Sequence, residues 1–449
     1  MATARRILLK FLPTSPRLQV LQGASGSFVL RLLSIFFGFI TTLLLARALS
    51  TDGYGAYAYA LAWVNLLQIP AMVGFEKLLV RETAVAVEKE RWDLLRGLLR
   101  WTNIVALLTS VLIACGLASI AAMLMADNNQ QKFSALLIGS ALIPLMALTG
   151  LRQAVLRGLK YVVIGQAPEF IIRPILLIAV ILGTTVGLRL DLTTSGALVA
   201  NFLATMIAFI LGSLVLGWRI PSQVRLTTPT YRRRAWTQSA APLLALGLLQ
   251  VANGQIFTLV LGMFHDSATV GIFSVTSRLS SLASLFLLSF NAALAPTFAT
   301  LYVRGDLDRL QKLVTQSSWL MCLLSLPIIL IFVVAGEFLL EQFGSDYVEG
   351  YASLIILGVG VFFSSAMGSV GLLLTMTGNE RDAGIVIGTL LLGNILLSLV
   401  LIPTYGVVGA ATATTVYLVF SNLLLGFFVF RRTGIVPSIF GRPYPSTRH

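Results

Sequence analysis

Apolar residues run along this chain in long uninterrupted blocks. Twelve of them are long enough for a helix to cross the hydrocarbon core of a bilayer with every backbone group paired internally, which takes about 20 residues. They cover residues 26–48, 54–76, 102–126, 133–156, 165–187, 193–216, 236–262, 268–299, 316–340, 350–376, 383–402 and 407–430. The pattern predicts an all-α polytopic membrane protein. The basic stretch before the first block is broken by Pro13 and Pro16 and reads as a cytoplasmic segment lying at the interface rather than a signal peptide.

The polar segments between blocks set an orientation. With the first segment placed inside, 25 of the 32 Lys and Arg residues fall on inside segments and 2, Lys132 and Arg189, on outside ones. Basic residues accumulate on the cytoplasmic side of membrane proteins, so both termini are expected in the cytoplasm and the number of spans is even. The longest inside segment, residues 77–101, places Val80, Val87, Leu94, Leu95, Leu98 and Leu99 among charges and reads as an amphipathic surface helix. The outside segments are short, which leaves no external domain to host catalysis, and the chain is expected not to be an enzyme.

Composition sharpens the exclusions. Apolar residues make up 57% of the chain and charged ones 11%, less than half the share of about 25% typical of soluble domains. The net charge of +14 is spread over seven membrane-flanking segments, so it reads as an anchor on an anionic leaflet and not as a nucleic-acid surface. Two cysteines, Cys115 and Cys322, and two histidines, His265 and His449, offer no disulfide framework and no metal spacing. No glycine-rich phosphate loop is present, so no ATP hydrolysis and no cofactor are expected.

The two halves of the chain echo each other. Leu45 to Tyr57, LARALSTDGYGAY, lies over Leu261 to Phe273, LGMFHDSATVGIF, at an offset of 216, with Gly55 on Gly271. Gly158 to Leu177 lies over Gly378 to Leu397 at an offset of 220, and Gly196-Ala197 over Gly409-Ala410 at 213. Six spans per half makes the halves parallel, related by an axis along the membrane normal with a site between them. The expected organisation is a cytoplasmic segment at 1–25, a six-helix bundle at 26–218, a basic linker at 219–235, a second bundle at 236–432 and a cytoplasmic tail at 433–449, the two bundles enclosing a central cavity.

Between Gly26 and Ala84 an Arg-bearing first helix joins LLLARALSTDGYGAYAYALAWVNLL and then GFEKLLVRETA. With the spacing LAR-x-L-x-x-x-x-Y-G-x-Y and the later VGIFSVTSRL, this resembles the oligosaccharide flippase family (Wzx-type polysaccharide exporters) of the multidrug/oligosaccharidyl-lipid/polysaccharide superfamily. The resemblance implies translocation of a polyprenyl-pyrophosphate-linked oligosaccharide from the cytoplasmic to the periplasmic leaflet of the inner membrane. It also implies a sodium or proton gradient as a coupling source and a polysaccharide polymerase complex as a partner. The lipid II flippase relatives add two C-terminal helices; the ending RRTGIVPSIFGRPYPSTRH is too polar and proline-broken to supply them.

Five arginines fall inside spans: Arg31, Arg47, Arg152, Arg173 and Arg278. Each costs about 2.5–3.5 kcal/mol at a helix centre on insertion scales, so it must face a wet cavity, pair, or reach the interface. Arg47 and Arg152 lie near span ends and are expected to reach the interface. Arg173 follows Glu169 by four positions, which leaves a self-contained pair and a cavity role both open. Arg31 and Arg278 have no acidic residue at i±3 or i±4 and are the candidate pyrophosphate ligands, bidentate guanidinium forks suiting phosphate oxygens. Polar stripes surround them: Arg31, Ser34, Gly38 and Thr41; Tyr54, Tyr57, Asn65 and Gln68; Gln250 and Asn253; and Gly271, Ser274, Arg278 and Ser281. The candidate cavity residues are therefore Arg31, Arg278, Arg173, Tyr57, Asn65, Gln68, Gln250 and Asn253.

A multidrug or toxic-cation exporter of the same superfamily is the first alternative, but it needs acidic residues in the bundle, where only Glu169 is well inside a span. A membrane glycan polymerase or ligase is the second, and it needs an external loop large enough for catalytic groups. The orientation is testable directly. Reporter fusions after residues 90, 225 and 440 report cytoplasm, and fusions near 128, 190 and 346 report periplasm; an inside segment found outside would overturn the parallel halves.

Overall fold

The structure, a computed structural model, describes residues 16–125 and 130–441, with the side chains of 16–25, 124 and 125 left out. The basic residues Arg5, Arg6, Lys10, Arg442 and Arg448, and His449, lie outside the described residues. Fourteen helical elements follow in order: α1 (Pro16–Ala48), α2 (Thr51–Ala71), α3 (Phe75–Glu88), α4 (Trp92–Met125), α5 (Gln130–Gly158), α6 (Val162–Gly187), α7 (Thr194–Arg219), α8 (Ser222–Leu226), α9 (Arg233–Phe264), α10 (Ser267–Ala283), α11 (Leu285–Val303), α12 (Leu307–Glu341), α13 (Ser345–Met376) and α14 (Glu380–Thr433). Among the described residues there is no strand.

Ten of these helices are long and apolar enough to cross a bilayer, and the bent pair α2–α3 makes an eleventh. The 54-residue α14 holds two, because the chain reverses at Gly406, whose φ of 53° and ψ of −124° interrupt the helix. A Cβ on Gly409 would strike the Leu401 carbonyl, so the two arms of that reversal touch. The expected twelve spans are thus present, six before the linker and six after it. They form two helical bundles with a cavity between them.

One expectation fails. Residues 77–101 are not a surface helix. After Met72 the chain passes through Val73 and Gly74, both at positive φ, and α3 leaves α2 at 46°. It then packs inward with Phe75, Leu78, Leu79 and Thr83 buried. The charged residues that suggested a surface position lie on the other face of α3, in the short turn into α4 and, as Asp93, Arg96 and Arg100, in the first turns of α4.

The repeat is visible in the caps and turns. Ser50 caps α2 by accepting from Gly53 N, and Asp266, 216 positions later, caps α10 by accepting from Thr269 N. The two helices cross at Gly55 and Gly271. A Cβ on Gly55 would strike the Ser267 carbonyl, and one on Gly271 the Thr51 carbonyl. Thr51 and Ser267 are themselves 216 apart, so the contact is reciprocal, as at an axis of two-fold symmetry. Farther on, Lys160 (φ 67°) and Gly378 (φ 78°) close equivalent turns. Their separation of 218 shows that the sequence offset of 220 is out of register by two.

A large apolar core runs through both halves and includes Tyr59, Leu78, Leu142, Leu261 and Val270. A smaller one, around Phe298, Leu310, Leu373 and Val429, belongs to the second half. The linker lies against the first half. Thr230 N donates to Asp93 O at 3.0 Å, Arg96 donates to Thr227 O, and Gly97 has no room for a Cβ beside the Thr230 carbonyl.

The left-handed turns differ in strain, because a side chain in this conformation costs about 1–2 kcal/mol that glycine does not pay. Lys160→Gly is expected to raise the thermal midpoint of the purified protein, and Gly378→Ala to lower it by an equivalent amount.

Candidate substrate cavity

Between the halves lies a cavity of about 600 Å³. Its walls come from α1, α2, α6 and α7 of the first half and from α9 and α10 of the second. Ser34, Gly38 and Thr41 face it from α1, and Ser274, Arg278 and Ser281 from α10. Both are the faces that helical spacing groups together.

Arg278 enters the cavity against Gly38, where its guanidinium fills the space that a Cβ would take. Among the described residues it has no acidic partner, and its Nε has no hydrogen-bond partner. Tyr54 lies close by, stacked on Tyr57 with ring centroids 6.3 Å apart. Opposite stands a connected polar group. Arg173 pairs with Glu169 and donates from Nε and Nη2 to Asn201 Oδ1 at 3.2 and 3.0 Å. Asn201 Nδ2 in turn donates to the Tyr57 hydroxyl at 3.0 Å. A local irregularity of α6 builds this group. Pro174 cannot donate to the carbonyl four residues back, and Arg173 N reaches instead to Pro168 O, making a wide π-turn over Pro168–Ile172. Such turns often sit at functional sites.

Of the residues expected in the cavity, Arg278, Arg173, Tyr57 and Asn65 line it. Gln68 lines a second cavity of about 250 Å³ that shares Glu169 and Phe170 with the first. Arg31 is exposed. It lies seven residues before Gly38 on the same face, roughly 10 Å along the axis at 1.5 Å per residue. Gln250 is exposed, and Asn253 sits half-buried beside Tyr417. The cavity face of α9 is instead Gly254, Gln255 and Thr258. Helical spacing alone does not say which of two polar faces of α9 turns inward. Asn201 and Glu169 carried a signal, as polar residues inside spans, but their partnership with Arg173 depends on the π-turn.

Of the two arginines expected to reach the interface, Arg47 is exposed at the end of α1, whereas Arg152 turns inward. Arg152 is 4% exposed and donates Nη1 to Phe209 O at 2.7 Å and to Ala208 O at 3.1 Å, in space left by Gly212. The carbonyls within reach in the bundle outcompete the distant interface. Arg47 crosses to the other half, donating Nε to Gln342 O at 2.5 Å and Nη2 to Gln342 Oε1 at 3.1 Å.

Arg47 belongs to a set of contacts that closes the cavity at the end holding Ser50 and Asp266. Thr51 Oγ1 donates to Asp346 at 2.8 Å, Ala268 N donates to Asp52 at 3.0 Å, and Lys132 donates to His265 O at 2.7 Å. With the Gly55–Gly271 crossing, these bind the halves tightly there. At the linker end α11 buries only Phe298.

Comparison with known proteins agrees with this architecture. A family model described as Polysaccharide biosynthesis protein matches residues 20–302, and one described as MatE matches residues 242–400. The chain is 26% identical over 184 residues to the "Probable flippase AglR" of Haloferax volcanii, covering 39% of this chain and 38% of that protein. It is 30% identical over 174 residues to the "Capsular polysaccharide biosynthesis protein CapF" of Staphylococcus aureus, covering 38% and 43%. The chain thus spans about two fifths of each of these relatives. Among solved structures it resembles an inward-facing multidrug resistance MATE family transporter of the MOP superfamily with a TM-score of 0.73, at 11% identity over 89% of this chain and 94% of the other. The lipid II flippase MurJ in an inward closed conformation gives 0.62 at 16% identity, over 89% and 86%.

Asn201 is 1% exposed and holds both Arg173 and Tyr57. Asn201→Ala is expected to cost about 2 kcal/mol, the scale of hydrogen bonds to charged groups, read as a lowered unfolding midpoint. Asn201→Asp keeps the shape but adds a carboxylate beside Arg173, so it is expected to retain the midpoint better than alanine while abolishing binding of an anionic ligand.

Proposed function

Because this chain belongs to the polysaccharide biosynthesis protein family, we propose that it moves a polyprenyl-pyrophosphate-linked oligosaccharide, an O-antigen, capsule or exopolysaccharide repeat unit, across the inner membrane by alternating access. The observation that carries this reading is the charge of the cavity. Each half contributes one arginine, Arg173 and Arg278, and the one acidic wall residue among the described residues, Glu169, is already paired. The cavity field therefore favours an anion. A pyrophosphate offers several charged oxygens to two guanidinium forks. Tyr54, Tyr57 and Phe170 add aromatic faces on which sugars can stack. A volume of about 600 Å³ lies within the 300–1,000 Å³ typical of ligand pockets, enough for a headgroup, while the isoprenoid tail stays in the lipid.

The same charge opposes a multidrug or toxic-cation exporter, which needs uncompensated acidic groups where this cavity has guanidinium. The orientation is part of the proposal. The linker end, with Arg225 and Arg232 to Arg234, faces the cytoplasm together with both termini, and the Ser50–Asp266 end faces the periplasm. The structure then corresponds to a state closed outward. Arg31, nearer the cytoplasmic mouth than Gly38, meets the headgroup first and passes it to Arg278 and Arg173. The bundles 26–218 and 236–432 rock as units about the bilayer midplane, driven by a sodium or proton gradient, and deliver product to a polysaccharide polymerase complex.

Arg278→Ala is expected to abolish surface glycan and leave lipid-linked oligosaccharide on the cytoplasmic leaflet, with membrane abundance near normal. Arg278→Lys restores part of the activity, since charge survives without the fork. Full activity of an Arg31→Ala, Arg278→Ala double variant would sink the reading. A disulfide between Arg47→Cys and Gln342→Cys, in a chain with Cys115 and Cys322 changed to serine, is expected to stop transport until reduced. Unchanged transport under efficient crosslinking would exclude alternating access.

A further inference from the structure

Glu169 poses a difficulty for an anion-binding cavity: it already occupies Arg173. An arriving headgroup gains little from an arginine whose charge is neutralised, and displacing the carboxylate leaves a buried charge without a partner, a strongly unfavourable state. The surroundings of Glu169 supply a way out. Its side chain is 13% exposed, and its second oxygen, Oε2, is buried with no hydrogen-bond partner. α6 packs on α5 where Gly165 meets the Leu156 side chain. One turn farther along this antiparallel pair, four residues from each, Glu169 and Arg152 come to facing positions, close enough for their opposite charges to act on each other. Arg152 uses only Nη1, on the carbonyls of Ala208 and Phe209; its Nε and Nη2 are buried and unpartnered. A guanidinium with two idle donors thus lies beside a carboxylate with one idle acceptor, and nothing in the cavity reading uses either. Glu169 also forms part of the wall of both the central cavity and the second one, whose other polar lining is Gln68, Thr149, Gln153 and Glu76, the last paired with Arg157. It therefore has open space on two sides in which to turn.

We infer that Glu169 is an exchangeable counter-ion, held by Arg173 when the cavity is empty and handed to Arg152 when an anionic headgroup takes Arg173. The exchange keeps Glu169 and Arg173 paired at each stage. Arg173 leaves a carboxylate for a phosphate, Glu169 leaves one guanidinium for another, and Asn201 holds Arg173 in place throughout. Glu169 and Arg152 are positioning residues, acting on the ligand through Arg173. The π-turn at Pro168–Ile172 gives Glu169 this latitude, since its backbone lies in the widened, less tightly bonded part of α6. The exchange also favours release. Once the headgroup departs, Glu169 returns to Arg173 and displaces any residual anion.

This inference rests on the anionic-substrate reading, and the test separates the two. The full chain, purified in detergent, is titrated with farnesyl pyrophosphate and, as the uncharged control, farnesol. Glu169→Gln removes the competing charge with almost no change of shape. It is expected to bind farnesyl pyrophosphate at least tenfold more tightly than the unaltered chain, with farnesol unchanged. Arg152→Gln strands the carboxylate on Arg173 and is expected to bind farnesyl pyrophosphate at least tenfold more weakly. The double variant, with no carboxylate to strand, is expected to recover the tight binding of Glu169→Gln. A structural role for the pair would not give that rescue. If the unaltered chain prefers farnesyl pyrophosphate and Glu169→Gln leaves the preference unchanged or weaker, the exchange is wrong and the anion reading stands. If neither protein distinguishes farnesyl pyrophosphate from farnesol, both are wrong. Should Arg152→Gln prove unstable, Arg152→Lys replaces it; a loss of affinity that the added Glu169→Gln fails to restore would overturn the exchange.

Discussion

The crossing of α2 and α10 at Gly55 and Gly271 is the contact on which the rest of the architecture depends. Two helices from different halves approach until backbone meets backbone, and a single methyl at either glycine would push them apart. Helix association in membranes has little hydrophobic drive and relies on such close packing of small residues. Because the contact is reciprocal, it lies on the axis relating the halves, and the Asp52, Asp346 and Arg47 bonds cluster beside it. The cavity lies along the same helices, so its depth and closure are set by how tightly this crossing holds.

The second constraint is the expense of charge inside a bilayer. The chain meets it differently at each arginine. Arg152 is caught by backbone carbonyls, Arg173 by a carboxylate and an amide, and Arg47 by the opposite half. Arg278 alone among them is left to the cavity with no acidic partner among the described residues. A group held so incompletely has its remaining capacity available to a ligand, which is why the polar network on the facing wall matters as much as the arginine itself.

Much of this was legible in the sequence, for physical reasons that differ from place to place. Spans are legible because hydrocarbon tolerates no unpaired backbone, and the halves because caps and crossing glycines recur at one offset. The stripe through Ser274, Arg278 and Ser281 was legible because α10 is regular. Gln250 and Asn253 misled because α9 carries polar residues on two faces, and only packing decides between them. Arg152 misled because its partners, the Ala208 and Phe209 carbonyls, are more than fifty residues away in sequence. The Glu169 setting depends on a π-turn created by the placement of Pro168 and Pro174, which a regular 3.6-residue wheel misassigns. The bend after Met72 depends on two left-handed residues, one of them a valine, and valine is a poor advertisement for that conformation.

The linker has a consequence for how such a chain is made. Its bonds to Asp93 and Arg96, and the stacking of Arg233 over Trp101 at 4.8 Å, all reach back to a helix that leaves the ribosome more than a hundred residues earlier. The first half can therefore finish assembling, with its exit segment fastened down, while the first span of the second half is only beginning to emerge. The second half then inserts beside a completed template rather than an unfolded neighbour. Duplicated membrane proteins risk pairing a helix with the wrong copy of its partner; fastening the junction early gives this chain a built-in order of assembly that removes that competition.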